Sequence, residues 1–183
     1  MTYYGAKELA ASFRTVRDNT IKIAEDIPED QYGYRATSGT RSVAETLVHM
    51  AVTTRMHQQI HFDERRSTLA GFDFFTFMGK QLAEETKPRT KSEILQLLHE
   101  ESEKYCQRLD NVSEAILAEN VEMPQGMAPP SKSRFEMLMS AKEHEMHHRG
   151  QLMVIERLLG ITPHLTRQMQ DRIAAMKSAQ AGG

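Results

Sequence analysis

Residues 144–152 read HEMHHRGQL and lie near the end of a long helical pattern. Side chains four residues apart share one face of a helix, with Cβ atoms about 5–6 Å apart, so His144 and His148 project together and could hold one metal ion. Apolar residues continue this face at steps of three and four, namely Met137, Ala141, Leu152, Ile155 and Leu159. The pattern predicts that both imidazoles lie in line with the buried face, whereas His147 points to its flank.

Two buried imidazoles need partners for their nitrogen atoms, because a desolvated polar group without one costs free energy. A divalent cation would satisfy them, and so would ordinary hydrogen bonds. The i, i+4 pair alone leaves both interpretations open.

The composition limits the class of protein. A chain of 183 residues fits one domain over residues 1–183. The formal charge of −2 gives no electrostatic reason to expect a nucleic acid partner. A single cysteine, Cys106, excludes an internal disulfide and is compatible with a reducing compartment. Because the sequence shows neither a signal-peptide pattern nor an apolar run long enough to cross a bilayer, we expect a cytoplasmic protein without a membrane partner.

Four long helical patterns are predicted, at residues 6–27, 42–60, 90–112 and 134–159. The last three open with capping-box pairs, Ser42/Glu45, Thr90/Glu93 and Ser133/Glu136. The proline-rich stretch at 121–133 is long enough to be a crossover between helices, and no segment alternates regularly enough to be a strand. The sequence therefore predicts an all-α protein, a four-helix bundle with a crossover connection. Its core spans residues 6–163, and the C-terminal extension at 164–183 adds an amphipathic helix.

The second helix supplies a candidate third ligand, since metal sites in bundles are assembled from side chains on facing helices. His49 lies on a face of mixed character that also carries Val52 and Ile60, so it is the natural third imidazole. His57 and His61 form another i, i+4 pair where this helix is expected to fray. Their polar surroundings in the sequence predict that these two are solvated.

Two further apolar surfaces are predicted. The segment at 71–88 forms a short helix that packs its phenylalanines against the bundle, namely Phe72, Phe74, Phe75 and Phe77. The helix at 134–159 carries a second apolar face, formed by Phe135, Met139, Met146 and Met153. A helix with two apolar faces must bury both, so we expect a homodimer through the second one.

His144-Glu145-Met146-His147-His148 also fits H-E-x-x-H, the zincin metalloprotease pattern, in which the two histidines bind zinc and the glutamate acts on bound water. The extended form of that motif requires a glycine and a histidine where this chain has Gln151 and Val154. No glutamate follows Glu156 to serve as a downstream ligand. The zincin interpretation is therefore the weaker one.

Three stretches together resemble a known group: RSVAETLVHM at 41–50, HEMHHRGQL at 144–152 and LLGITP at 158–163. They are similar to the DinB/YfiT-like superfamily of four-helix metal-binding proteins, over residues 6–163. The resemblance implies that the metal ligands are His49, His144 and His148, the same set that the helical faces suggest. Zinc is the first expectation for an all-imidazole site, and nickel is also bound by members of the superfamily.

Three neutral imidazoles leave at least one coordination position open, which distinguishes a catalytic metal from a structural one. The resemblance implies a metal-dependent enzyme acting on a small molecule, either a hydrolase or an S-transferase that uses a low-molecular-weight thiol. Glu145 and Glu45 are the candidates for a general base or for an acceptor of an imidazole N–H. The alternative is a metal-binding bundle protein without turnover, which serves in a stress response or an interaction.

Overall fold

A computed structural model of the chain describes residues 4–181. Its helices are α1 (Ala6–Asp26), α2 (Val43–Gln58), α3 (Phe74–Glu85), α4 (Lys91–Asp110), α5 (Glu114–Leu117), α6 (Arg134–Leu158) and α7 (His164–Ala181). A 3-10 turn (Glu29–Gln31) follows α1, and a π-helical turn (Gln59–Asp63) extends α2. Two short strands, β1 (Asn120–Glu122) and β2 (Ser131–Ser133), lie between α5 and α6.

The four long helices α1, α2, α4 and α6 form the bundle, which confirms the predicted fold class. Both α1 and α2 pack against α4 and against α6, so α1 and α2 occupy opposite corners. The chain therefore crosses the bundle between its first two long helices. Residues 27–42 make this crossing, and Tyr32 holds them against the bundle by donating a hydrogen bond of 2.7 Å to the carbonyl oxygen of Ala24.

The capping pattern sets where the bundle helices begin. The Ser42 hydroxyl accepts from the Glu45 N–H, and the Glu45 carboxylate accepts from the Ser42 N–H, so α2 starts with the predicted capping box. The corresponding pair at the start of α4 is also complete. At α6, Ser133 caps the helix but the Glu136 carboxylate pairs with Lys132 instead, so only half of the third box forms.

The core contains two large clusters to which three or more bundle helices contribute. One includes Ile23, Leu47, Leu98 and Leu152, and the other includes Phe13, Tyr105 and Leu138. Each such fully buried side chain stabilises the fold by about 1.5–3 kcal/mol relative to an exposed one. On α1, Arg17 lies between the two clusters and is itself fully buried. The first cluster joins α2 to α6 through Leu47 and Leu152.

The expectation that the chain contains no strand is wrong. β1 and β2 pair antiparallel within the segment predicted to be a crossover, with Val121 opposite Lys132. Strands of three residues are too short to show an alternating pattern in the sequence. Val121 is buried with Ile60 and Leu69, which ties this hairpin to the end of α2.

The predicted second apolar face of α6 is largely covered within the chain. Phe135, Met139 and Met153 pack against the core clusters, and Met146 remains exposed. Most of this face is therefore already buried, so burying it does not require a homodimer. The phenylalanine cluster of α3 also divides: Phe72 and Phe74 pack with Ile60, Leu69 and Val121, whereas Phe75 is 92% exposed.

The predicted C-terminal helix is present as α7. Its first turn packs on α1, where the His164 ring nitrogen Nε2 lies 3.0 Å from the Asn19 side-chain oxygen and Arg167 pairs with Asp26 at 2.6 Å. From residue 167 to residue 180 its side chains are exposed. Among the helices of residues 4–181, none combines the length and the apolar character that a membrane crossing requires.

Candidate metal site

The structure brings together three imidazoles from two helices. His49 lies on α2, and His144 and His148 lie one turn apart on α6. The Nε2 atom of His144 is 3.0 Å from Nε2 of His49 and 3.2 Å from Nε2 of His148. Their ligand atoms all lie within 4.8 Å of one another. His147 stays outside this cluster, exposed to solvent, with its Nε2 atom 3.0 Å from the Gln151 amide nitrogen.

The hydrogen bonds behind the cluster fix which ring nitrogens carry protons. Nδ1 of His49 is 2.7 Å from a carboxylate oxygen of Glu85, and Nδ1 of His148 is 2.8 Å from the Gln151 amide oxygen. Both oxygens are acceptors, so each Nδ1 donates, and in the neutral ring Nε2 is left with a bare lone pair. A single N–H on His144 could satisfy only one of these two lone pairs.

A divalent cation satisfies this arrangement. Zinc binds imidazole nitrogen at about 2.0–2.1 Å in tetrahedral geometry, which places the nitrogens about 3.3 Å apart. The two shortest separations in the cluster, 3.0 and 3.2 Å, are close to that value. Two of the three separations therefore match a zinc ion, and all three lie within 4.8 Å.

Burial keeps the cluster ready to bind a cation. It lowers the pKa of all three imidazoles, and the neighbouring His148 and His49 rings lower the pKa of His144 further, to about 3. For His49 the carboxylate of Glu85 acts in the opposite direction, but burial is the larger effect. All three rings are therefore neutral near pH 7 and do not have to lose a proton before they bind an ion.

Glu85 is a site residue that the sequence did not point to. It lies on α3, is 5% exposed, and accepts from His49 through one oxygen. Arg41 donates to both oxygens, from Nε at 2.6 Å and from Nη2 at 3.4 Å. Such a carboxylate orients a ligand imidazole and raises its basicity. Glu45, the residue expected in this role, is instead occupied by the α2 cap and by Arg35.

Glu145 does not face the three imidazoles, in contrast to its expected role as a general base. It is 2% exposed, and its two oxygens accept from Nε and Nη2 of Arg17 at 2.7 and 2.8 Å. Both oxygens of the carboxylate are thus engaged by Arg17, on the α1 side of α6. The H-E-x-x-H match has the spacing of a zincin but lacks its geometry.

This ion pair also corrects the predicted face of α6. The buried positions of the helix are Arg134, Leu138, Ala141, Glu145, Leu152, Ile155 and Glu156, whereas His144 and His148 are only partly buried. The histidines therefore lie beside the buried stripe and not within it. That position gives His148 access to a cavity.

A cavity of about 740 Å³ opens beside His148. Its walls come from the loop between α1 and α2 and from α2, α3 and α6, and include Arg35, Arg41, Thr46, Leu82, Glu85, Gln151, Val154 and Ile155. This volume is within the range of pockets that bind small molecules, about 300–1,000 Å³. One of the three imidazoles and the carboxylate that supports a second one thus line a space large enough for a substrate.

His57 and His61 are buried, so the prediction that they are solvated is wrong. The π-helical turn continues α2 where fraying was expected, and the two rings stack with centroids 6.0 Å apart. Arg134 covers His61, with its Nη1 atom 3.3 Å from Nδ1 of the ring. Burial lowers the pKa of His57 to about 4 and, with the nearby His57 and Arg134, that of His61 to about 3.

The fold and the cluster define a class of protein, a four-helix bundle with a three-histidine site on two facing helices. The DinB family model matches residues 1–178, and the chain belongs to the DinB family. The Bacillus subtilis protein YjoA, described as uncharacterised, is 25% identical over 157 residues, which cover 86% of this chain and 92% of YjoA.

Solved structures share the fold. The crystal structure of the DinB-like YjoA has a TM-score of 0.63 at 21% identity, covering 85% of this chain and 94% of that one. YfiT from Bacillus subtilis, described as a probable metal-dependent hydrolase with an unusual four-helix bundle topology, has a TM-score of 0.67 at 15% identity, covering 88% and 91%. An uncharacterised protein from Clostridium difficile 630 has a TM-score of 0.67 at 16% identity, covering 86% and 98%.

Proposed function

We propose that this chain is a divalent-metal-dependent enzyme that acts on a small molecule, by hydrolysis or by transfer of a low-molecular-weight thiol. The observation that carries this proposal is the convergence of the three Nε2 atoms beside a cavity of about 740 Å³. The description of YfiT as a probable metal-dependent hydrolase supports the same class.

His49, His144 and His148 would hold the ion, zinc first and nickel second for an all-imidazole site. Bound there, the ion would supply Lewis acidity and lower the pKa of a water or thiol at the open position. The chain's own residues orient the ligands: Glu85 holds the His49 ring and Gln151 holds the His148 ring. The apolar wall of the cavity excludes water from part of the substrate.

The residues that line the cavity favour thiol transfer, whereas the description of YfiT favours hydrolysis. Among the described residues that line the cavity, the carboxylates are Glu45 and Glu85, and both are already engaged by arginines. A thiol needs less help than water to lose its proton, because its ordinary pKa is about 8.5 against about 15.7 for water. A site without a free general base therefore suits a thiol substrate.

A non-catalytic role is the alternative, since the three ligands join α2 to α6 and an ion there could simply clamp the helices. The two functions differ in the access of an outside ligand to the ion. For an enzyme, azide or a soluble thiol should perturb the visible spectrum of the cobalt-substituted protein. For a structural clamp, the spectrum should not respond, and chelation should lower the melting temperature strongly.

Activity screening then tests the enzyme directly. We expect the zinc-loaded or nickel-loaded protein to accelerate the reaction of a small thiol with an alkylating electrophile, and the His144→Ala variant to lose both metal and activity. The matched control is His147→Ala, which removes an exposed imidazole from the same helix turn. Equal activity in both variants would contradict the proposal.

We also infer a cytoplasmic homodimer. Exposed apolar side chains beside the cavity support an assembly, namely Leu82 at 58%, Val154 at 56% and Leu158 at 59% exposed. A reducing compartment suits the single buried Cys106. Solution scattering at micromolar concentration should give twice the monomer mass, and a monomer mass would contradict the homodimer.

A further inference from the structure

Arg41 has hydrogen-bonding capacity that its ion pair does not use. A guanidinium carries five N–H donors. Arg41 directs Nε and one N–H of Nη2 at Glu85, and its remaining donors, on Nη1 and Nη2, have no partner among residues 4–181. The side chain lines the cavity and is 38% exposed. Its Nη1/Nη2 end is the part of the fork that matches a carboxylate with two parallel hydrogen bonds.

The charge of the cavity favours the same ligand. Of the described residues that line it, the charged ones are Arg35, Arg41, Glu45 and Glu85, and their two positive and two negative charges cancel. Arg35 donates from Nη1 to the Thr40 carbonyl oxygen and from Nη2 to Glu45, so both of its terminal nitrogens already have a partner, whereas Nη1 of Arg41 has none among residues 4–181. A divalent ion on the histidines would leave the cavity with an excess of positive charge, which attracts anions.

The apolar wall of the cavity determines which chemical groups the rest of the ligand can carry. Leu82, Val154 and Ile155 line it, and none of these side chains offers a hydrogen bond. A ligand that reaches from Arg41 to the histidines would pass along this wall. These contacts suit a short aliphatic chain with an anionic end.

We propose that Arg41 binds the carboxylate of the substrate, so that the natural substrate or thiol is a small aliphatic carboxylic acid. This inference rests on the proposed function, because the other end of the ligand would react at the metal site. In the bound state the carboxylate accepts from Nη1 and Nη2 of Arg41, while Nε continues to hold Glu85 behind His49. Arg41 thereby acts as a specificity-determining residue.

The test compares matched acid and amide ligands by titration calorimetry on the zinc-loaded protein. The first pair of probes is 3-mercaptopropionate and 3-mercaptopropanamide. The second pair, butyrate and butanamide, lacks the thiol. Since a hydrogen bond to a charged group contributes about 1.5–3 kcal/mol, each acid should bind at least about tenfold more tightly than its amide. The Arg41→Gln variant should abolish this preference, so that each acid then binds no more tightly than its amide.

Two further variants keep the test independent of folding defects. Arg55 on α2 is also 38% exposed and also pairs with a buried glutamate, Glu101, but it lies outside this cavity. The Arg55→Gln variant should therefore keep the full preference for acids. The Arg41→Lys variant keeps a positive charge beside Glu85 without the fork, and should retain only part of the preference.

The inference is overturned if wild-type protein binds each acid and its amide equally, or shows no measurable binding of the acids. It is also overturned if Arg41→Gln weakens acids and amides to the same extent, because Arg41 would then act only through Glu85 and His49. The cobalt spectrum separates this outcome from a failure of the proposed function. If 3-mercaptopropionate leaves that spectrum unchanged but still shows an Arg41-dependent preference over its amide, the proposed chemistry fails and the carboxylate subsite stands.

Discussion

Arg17 and Glu145 form a bidentate ion pair in the interior of the bundle, with 0% and 2% of their side chains exposed. Arg17 also donates to the carbonyl oxygens of Leu98 at 2.9 Å and Met50 at 3.0 Å. One side chain on α1 thus bonds to α2, α4 and α6. The ion pair lies one residue away from the metal-site histidine His144, so it also fixes the rotation of α6.

Replacing Glu145 by glutamine should destabilise the fold without removing the metal. It leaves the Arg17 charge buried and uncompensated, which costs about 3–5 kcal/mol. Urea denaturation measures this loss, and metal analysis should still find a full complement of zinc. The double variant Arg17→Met/Glu145→Leu should recover most of the lost stability. Wild-type stability together with lost activity in Glu145→Gln would restore the zincin interpretation.

The Glu85→Gln variant should bind metal about 10–100-fold more weakly, because the carboxylate that orients the His49 imidazole is lost. Competition with a coloured chelator measures the affinity. Glu101→Gln is the matched control, since Glu101 is 4% exposed and pairs with Arg55 away from the histidines. Equal metal affinity in the two variants would show that Glu85 has no role in the site.

The His57→Leu variant should reduce the sensitivity of the protein to acid. Burial lowers the pKa of His57 from 6.5 to about 4, so its contribution to stability is complete above pH 6.5 and is lost as the pH falls towards 4. At pH 5 the loss amounts to about 2 kcal/mol. The difference in unfolding free energy between pH 7.5 and pH 5 should shrink by this amount in His57→Leu. It should stay unchanged in His147→Leu, whose imidazole is exposed.

The contribution of Glu156 to stability should have the opposite pH dependence to that of His57. Its carboxylate is fully buried and finds no hydrogen-bond partner within residues 4–181, and burial, with Asp26 nearby, raises its pKa from 4.5 to about 7. The proton stabilises the fold below pH 4.5, and this contribution is lost as the pH rises through 7. Each pKa unit corresponds to about 1.4 kcal/mol, so about 3 kcal/mol is lost in total. Glu156→Gln should therefore gain stability over wild type between pH 5 and pH 8 in urea denaturation.

The control for this comparison is Glu143→Gln, an exposed carboxylate on the same helix. The difference in unfolding free energy between Glu143→Gln and wild type should be the same at pH 5 and at pH 8. Groups that titrate in both proteins, including the buried histidines, cancel in the difference. A constant difference in Glu156→Gln as well would place the Glu156 pKa near its ordinary value.

The sequence predicted the parts of the structure that depend on neighbours along the chain. The helix boundaries follow from apolar spacing and from local capping pairs such as Ser42/Glu45, and the pairing of His144 with His148 follows from one helical turn. Residues that act across the fold could not be found in this way. Glu85 is 36 positions from His49, and Arg17 is 128 positions from Glu145. Nothing in the local pattern distinguishes either from a solvated charge.

The errors have the same origin. Glu145 is a candidate general base in the sequence because its partner Arg17 lies on another helix and cannot be recognised there. His57 and His61 are predicted to be solvated because the sequence does not show the π-helical turn that continues α2. It also does not show the contact between Arg134 and His61, which forms only in the folded chain. Strands of three residues leave too short a pattern for any periodicity to show.

The three histidines and one wall of the cavity lie on different segments of this chain. The histidines are anchored on α2 and α6, whereas residues 35–41 of the crossing supply a wall of the cavity. Insertions or deletions in this loop would remodel the cavity wall and leave the helices that carry the metal ligands intact. The shape of the cavity can thus change while the three histidines keep their positions, and grafting of this loop is the direct route to redesigning it.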